Sequence, residues 1–323
     1  MIQKSGLIHS LIIGLLVSPI LVSAADNDSP HNGIHIKKSG EKLSIFIGQD
    51  LLTEYHYQGD IPFPNLYPVM GPENLPMTRN FPMKNDGENE AKDHKHHRSL
   101  WYTHGEVNGL DFWSNSACRI VHKGFKGIES GENKGTIRTT NAWTGPDGKV
   151  VCTDDRTWTF YTPKLRSERI IDFEITVHAS NGDVVMGDTK EGSMALRLAP
   201  TLRLKGDVGQ GNIQNSNGEE GNTTWGKRAK WCDYYGPIDG KTVGVAIFDH
   251  PDNPRHPTWW HVRDYGLFAA NPFGIHNFEK KEKGVGDLKI PSGKSITFKY
   301  RLYFHSGNTD AAEVGKYYQA YIH

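Results

Sequence analysis

The chain carries no excess of either charge: 37 lysines and arginines balance 37 aspartates and glutamates, for a formal net charge of zero. With no long-range field to gather phosphates or anionic lipid, general nucleic-acid and membrane-surface roles are disfavoured, and any anion site would have to be local. Cysteine is scarce as well. Cys118, Cys152 and Cys232 allow at most one disulfide, and their scattered spacing matches no zinc or redox motif, so they read as small buried hydrophobes. After residue 24 no run approaches the roughly 18 apolar residues of a membrane span. Apolar residues make up only 36% of the chain, whereas 35 glycines, 17 prolines and an 11% aromatic share are well represented. That balance disfavours a helical bundle and suits short strands joined by tight turns.

The first residues stand apart. Lys4 precedes an apolar run from Leu7 to Val17, and Val22-Ser23-Ala24 offers small residues for cleavage, so residues 1–24 read as a secretory signal and 25–32 as a disordered polar linker. A periplasmic or secreted location follows as an expectation. From Gly33 the pattern is β. Ile34-His35-Ile36 and Leu43 to Ile47 flank a turn, and Ile171, Phe173, Ile175 and Val177 alternate with Asp172, Glu174, Thr176 and His178. Segments 117–129, 135–144, 150–161 and 168–179 read as long meandering strands. Ile296, Phe298, Tyr300, Leu302 and Phe304 form one face of another. The proline-rich stretch 60–82 reads as an ordered loop, 205–227 as a long mobile one, and only 309–322 as a helix, capped by Asn308 or Thr309. With no repeat and no composition break, residues 33–323 read as one all-β domain, a large antiparallel sandwich with a C-terminal helix.

Sixteen histidines are many for this length, and His94, His96, His97 and His104 cluster in one stretch. Neutral imidazoles at this spacing can bind a divalent ion, with Asp93, Glu106 or Asp111 supplying or backing oxygen ligands. The metal set would be His94, His97 and His104. Without a metal the same rings can move protons near neutral pH, while Arg98 holds a polarised oxygen. A second constellation runs from Asp249 through Arg255, His256, Trp259, Trp260, His261, Arg263, Asp264 and Tyr265 to Gly274. Exposed Trp and Tyr faces stack on sugar rings, and Asp, Asn, Arg and His bond hydroxyls. One of Trp259 and Trp260 must face a core, because neighbours on a strand point opposite ways. Glu73 and Arg79 read as solvated charges, and Asp154-Asp155-Arg156 as structural. No phosphate loop, nucleophile elbow or haem motif is present, so no nucleotide cofactor is expected.

The stretch from Asp93-His94 and His97-Arg98-Ser99-Leu100-Trp101 to Asp111-Phe112-Trp113, followed by Asn253-Pro254-Arg255-His256-Pro257 and Trp260 to Gly274, resembles a bacterial family labelled "methane oxygenase PmoA" or a domain of unknown function. Ser99 departs from the glycine usual after that His-Arg pair. The oxygenase label implies several transmembrane helices, which this sequence lacks after residue 24. The resemblance implies instead a secreted β-sandwich of the galactose-mutarotase or polysaccharide-lyase type. Members often accompany sugar oxidoreductase and glycoside-cleaving genes, an association rather than a mechanism.

The expectation is therefore a carbohydrate-active enzyme that cleaves or isomerises a glycoside or an oxidised sugar, with or without one divalent ion. The alternatives are a non-catalytic sugar-binding protein and a metal-dependent oxygenase. Catalytic candidates are His97, Arg98, His104, His261 and Asp264. Substrate-binding candidates are Arg263, Tyr265, Trp113, Trp260, Asn108 and Asp111.

Overall fold

The computed structural model of the chain describes residues 1–2, 33–114 and 117–323. But for Met1 and Ile2, the expected signal and linker lie outside the described residues. Among the described residues no helix is long and apolar enough to cross a membrane.

In chain order the first strands are β1 (Ile34–Ser39), β2 (Lys42–Ile47), β3 (Asp50–His56), β4 (Asn65–Val69), β5 (Leu100–His104) and β6 (Arg119–Glu129). Next come β7 (Lys134–Thr144), β8 (Val150–Tyr161), β9 (Glu168–His178), β10 (Val184–Met186), β11 (Gly192–Arg197) and β12 (Asn212–Asn215). The last are β13 (Trp231–Ile238), β14 (Lys241–Asp249), β15 (Trp259–Val262), β16 (Leu267–Asn271), β17 (Leu288–Ile290) and β18 (Ser295–Ser306). Helix α1 (Ile275–Glu279) follows β16, and α2 (Val314–Ile322) closes the chain. Two eight-stranded antiparallel sheets result, one ordered β1-β2-β3-β4-β5-β11-β16-β15 and the other β12-β13-β14-β18-β9-β8-β7-β6; β10 and β17 pair separately.

The two-residue alternation places the core. On β9 and β18 the apolar positions Ile171, Phe173, Ile175, Phe298, Tyr300 and Leu302 are all buried, and they face the first sheet. Tyr102 of β5 lies 5.6 Å from Phe173, and Tyr234 of β13 lies 5.7 Å from Phe268 of β16. Each such fully buried aromatic contributes about 1.5–3 kcal/mol from apolar area removed from water. The outer face of the second sheet is covered by α2, where Tyr303 stacks on Tyr317 at 4.1 Å. The three cysteines are free and buried. Asp154 and Arg156 form a buried bidentate pair, a structural role as expected.

Three expectations are corrected. The proline-rich stretch contains strand β4, because Pro68 falls beyond the two residues of β4 that pair with β5 and next to a bulge in the β3 ladder, where no amide donor is required. The segment 205–227 contains β12, paired with β13, and a single helical turn at Gly221–Thr224. The final helix begins at Val314; Asn308 instead closes the preceding turn through Ala311 N, and Thr309 donates to buried Asp233.

Candidate functional site

The cleft floor is set by register. Tyr102, Met194, Ala270 and Trp260 lie side by side across β5, β11, β16 and β15, and Tyr102 meets the second sheet, so this row points inward. Alternation puts the adjacent row, Trp101, Ala195, Ala269 and His261, on the opposite, outer face of the sheet. Two alanines lie at its centre between the Trp101 and His261 side chains, and all four residues are buried.

The wall on the Trp101 side is the segment 91–98, and two buried arginines build it. Arg79 donates to the carbonyls of Phe81, Ala91 and His94 and to Asp93 Oδ1 at 2.7 Å. Arg197, at the end of β11, donates to the same Asp93 oxygen at 2.8 Å and to His97 Nδ1 at 2.9 Å. His94 Nδ1 donates to the other Asp93 oxygen at 2.8 Å. A guanidinium can only donate, so His97 Nδ1 accepts and the ring of neutral His97 carries its proton on Nε2. Burial holds the His97 pKa well below the ordinary value, helped by His96, Arg197, His94 and Arg79. Asp93 is raised by burial, but Arg197 and the bonds from His94 and Arg79 outweigh that and leave its pKa lowered. His94 and Ser99 adopt φ of +41° and +62°, in the left-handed region that side chains rarely enter. Ser99 is anchored there by its bond to Thr78 Oγ1 at 2.8 Å.

From this wall a chain of rings crosses to the second motif. Trp113 packs 5.2 Å from Trp101, Trp101 stacks 5.4 Å from His97, His97 stacks 4.8 Å from His94, and His94 stacks 5.3 Å from Tyr265. Arg197 lies 4.7 Å over Tyr265. Arg263 sits between Tyr265 and Trp225, 5.7 and 5.9 Å from their centroids, and Trp225 reaches His261 at 6.3 Å. The two sequence constellations therefore meet in one arc over this buried row. Four buried donors or ring nitrogens along it, Trp101 Nε1, Trp113 Nε1, Trp225 Nε1 and His261 Nδ1, have no hydrogen-bond partner among the described residues. Unpaired buried polar groups are costly and cluster where a ligand or water completes them.

The profile of a family of unknown function, DUF6807, matches residues 42–319. The chain belongs to DUF6807. That is the family shown, in place of the oxygenase label that the sequence resemblance carried. No curated protein matches. Among solved structures, the chain is similar to an α-galactosidase from Lactobacillus brevis at 10% identity and TM-score 0.37, covering 86% of this chain and 40% of that one. The chain thus spans less than half the length of that enzyme. It is also similar to a galactose mutarotase-like protein from Clostridium acetobutylicum, at 8% identity and TM-score 0.34 over 84% of this chain and 95% of that one. A galactose mutarotase related enzyme from Lactobacillus acidophilus follows at 10% identity and TM-score 0.26, over 84% and 97%.

In this DUF6807 chain the remaining candidates are placed as follows. His104 points inward: its Nε2 contacts Gly187 O at 2.8 Å, its ring lies 4.5 Å from Phe273, and burial lowers its pKa to about 4. Trp260 is in the core, with Nε1 bonded to Ala229 O, because its row faces the second sheet. His104 is thus on the opposite face from His94 and His97, and those two rings lie nearly parallel, so the three do not converge on one point. Among the described residues no group of three His, Cys, Asp or Glu is placed to hold a metal ion. Asn108 ties its turn to β10 through Asp183 O and Val185 N. Asp111 accepts from Trp113 N and Ser114 N and so positions Trp113. Asp264 is paired with Lys205 at 2.7 Å. His261 lies on the cleft floor, but burial, with Lys190 and Arg263, lowers its pKa to about 3 and keeps it neutral. Arg98 turns away from the His94–His97 stack toward a separate cavity.

Sequence reasoning missed Arg79, Arg197 and Trp225. Arg79 was read as solvated, yet it is 2% exposed. Arg197 had a visible signal, a cation inside the apolar run Met194-Ala195-Leu196-Arg197-Leu198, which requires a buried partner. Trp225 was hidden in a segment read as a mobile loop.

Proposed function

We propose that this chain is a secreted or periplasmic carbohydrate-active enzyme that cleaves or isomerises a glycoside or an oxidised sugar by proton transfer in a cleft beside the partly exposed His94. The observation that carries this reading is the stacked pair His94 and His97, 4.8 Å apart and fixed with opposite hydrogen-bonding polarity. Asp93 holds the Nδ1 proton of His94, which leaves His94 Nε2 with a lone pair for a base. Arg197 holds His97 Nδ1, which leaves an Nε2–H donor that stays neutral. A sugar stacked on the half-exposed ring of Tyr265 would place a C–H beside a carbonyl within reach of His94. His94 takes that proton, and the electron pair moves onto the carbonyl oxygen as an enolate. The His97 N–H and the Arg263 guanidinium, clamped between two rings, stabilise this charge. Returning the proton to the other face isomerises the sugar. Collapse of the enolate with loss of a substituent one carbon further breaks the glycosidic C–O bond, and the leaving oxygen takes a proton from water or an imidazolium. His104 and Trp260 take no part.

The test is turnover by the purified mature chain of a panel of glycosides and their 3-keto derivatives, followed by product chromatography. Turnover that falls at least 100-fold in His94→Ala supports the reading. Saturable sugar binding without product over long incubation would replace it with a non-catalytic binding protein.

A further inference from the structure

Beside the cleft, on the far side of Trp113, lies a cavity of about 330 Å³. Its walls are Phe63, Phe112 and Trp113, and its polar groups are Asp60, Lys95, His96, Arg98 and Arg119. The cations are not equivalent. Arg119 is spent on Asp60, at 2.9 Å, and on Ile61 O; this pair sits at the rim, where the Asp60 side chain is 94% exposed. Arg98 is half-buried and, among the described residues, no carboxylate lies within ion-pair distance of it and its inaccessible Nε has no acceptor. Lys95 at the mouth is likewise unpaired among the described residues. Three cations face one carboxylate in a chain whose overall charge is zero, so the imbalance is local. A desolvated guanidinium without an acceptor is expensive unless a ligand supplies one. The cavity also joins the cleft wall, since Trp113 lies 5.7 Å and His96 4.5 Å from the His97 ring.

We propose that this cavity is a subsite for an anionic oxygen group, a carboxylate or a sulfate ester, carried by the sugar bound in the cleft, with Arg98 as its forked donor and Lys95 as the closing charge. The planar guanidinium fork suits two oxygens of one acid group, which a lysine cannot match. The apolar walls carry the ring that bears the group. This deepens the reading of the cleft above and rests on it: the substrate is an acidic sugar unit, not a neutral one.

Calorimetric titration of the purified chain tests it with glucose, glucuronate, the methyl ester of glucuronate and glucose 6-sulfate, on the wild type, Arg98→Ala and Arg98→Lys. We expect at least one of the two acids to bind about tenfold or more tighter than both glucose and the ester, and the ratio to collapse toward one in Arg98→Ala. A carboxylate source shows as preference for glucuronate, and a sulfate source as preference for the sulfate. Arg98→Lys should restore only part of the ratio, and it also serves if the alanine variant does not fold. Equal affinity for acid and neutral sugars, or a preference unchanged in both variants, overturns the subsite while leaving the cleft reading intact. Failure of every sugar to bind overturns both.

Discussion

Arg197 Nη1 lies 2.9 Å from His97 Nδ1, and this contact joins the end of a core strand to the histidine-rich segment 100 residues earlier in the chain. The same guanidinium holds Asp93, which in turn holds His94. One buried cation therefore fixes the hydrogen-bonding polarity of both rings.

Arg197→Met should remove that control. It abolishes two charge-assisted hydrogen bonds from a side chain only 1% exposed, so a loss of about 2–3 kcal/mol in denaturant-measured stability is expected. kcat/KM on the active substrate should fall at least 100-fold, because His97 is then free to take either tautomer. Arg197→Lys keeps a charge but cannot serve Asp93 and His97 with two coplanar donors, and most of the activity loss should persist. Equal activity in both variants and wild type would remove His97 from the chemistry.

Asp93→Asn isolates the other ring. The amide can donate to His94 Nδ1, which reverses the tautomer and moves the proton onto Nε2, where the base is needed. Turnover should drop by roughly 100-fold or more with sugar affinity nearly preserved. The carboxyl titrates below its ordinary value, so its ion pairs are present above about pH 4 and are lost as pH falls through the lowered pKa. Circular dichroism and titration calorimetry separate this from unfolding: a variant that no longer binds sugar at neutral pH would make Asp93 a structural residue only.

The alternation of apolar residues made the second sheet legible. Ile171, Phe173, Ile175, Phe298, Tyr300 and Leu302 face the core as their spacing requires, because a strand has only two faces. The two chemical motifs were legible as clusters, and they do meet, through the His94–Tyr265 stack. What spacing could not carry was orientation. His97 and His104 look alike in sequence, yet one is on the outer wall and the other points inward, since His104 lies on β5 in the same phase as Tyr102. Trp260 was a reasonable sugar platform until register with Ala270 and Met194 placed it in the core. The apolar run around Arg197 signalled a buried cation but not its partners Asp93 and His97, and Trp225 reaches His261 and Arg263 only through tertiary contacts.

Ser99 gives a test of backbone strain. Its φ of +62° favours glycine, while its hydroxyl bonds Thr78 inside the protein. Ser99→Gly relieves roughly 1 kcal/mol of strain and loses a hydrogen bond of similar worth, so stability should stay within about 1 kcal/mol of wild type. Ser99→Ala keeps the strain and orphans the Thr78 hydroxyl, so it should be the less stable of the two by about 1 kcal/mol. Thermal or urea denaturation gives the order; alanine equal to or above glycine would show that the strain costs nothing.

Buried neutral histidines should make the fold acid-sensitive well before its carboxylates are protonated. His104 and His261 titrate at about 4 and about 3 in the folded chain, both chiefly through burial, against about 6.5 when unfolded. The unfolded state therefore binds more protons at any pH below about 6.5, and stability is full above that value and falls as pH drops toward 4. Each ring contributes a slope of about 1.4 kcal/mol per pH unit across that window. The melting temperature should accordingly fall steadily from pH 7 to pH 4.5. In His104→Gln the absolute stability should drop, because the imidazole contact with Gly187 is lost, but the slope should flatten by about one proton. A melting temperature that does not change between pH 7 and pH 5, or an unchanged slope in the variant, would show that His104 is protonated in the folded chain and that its inward position is open to water.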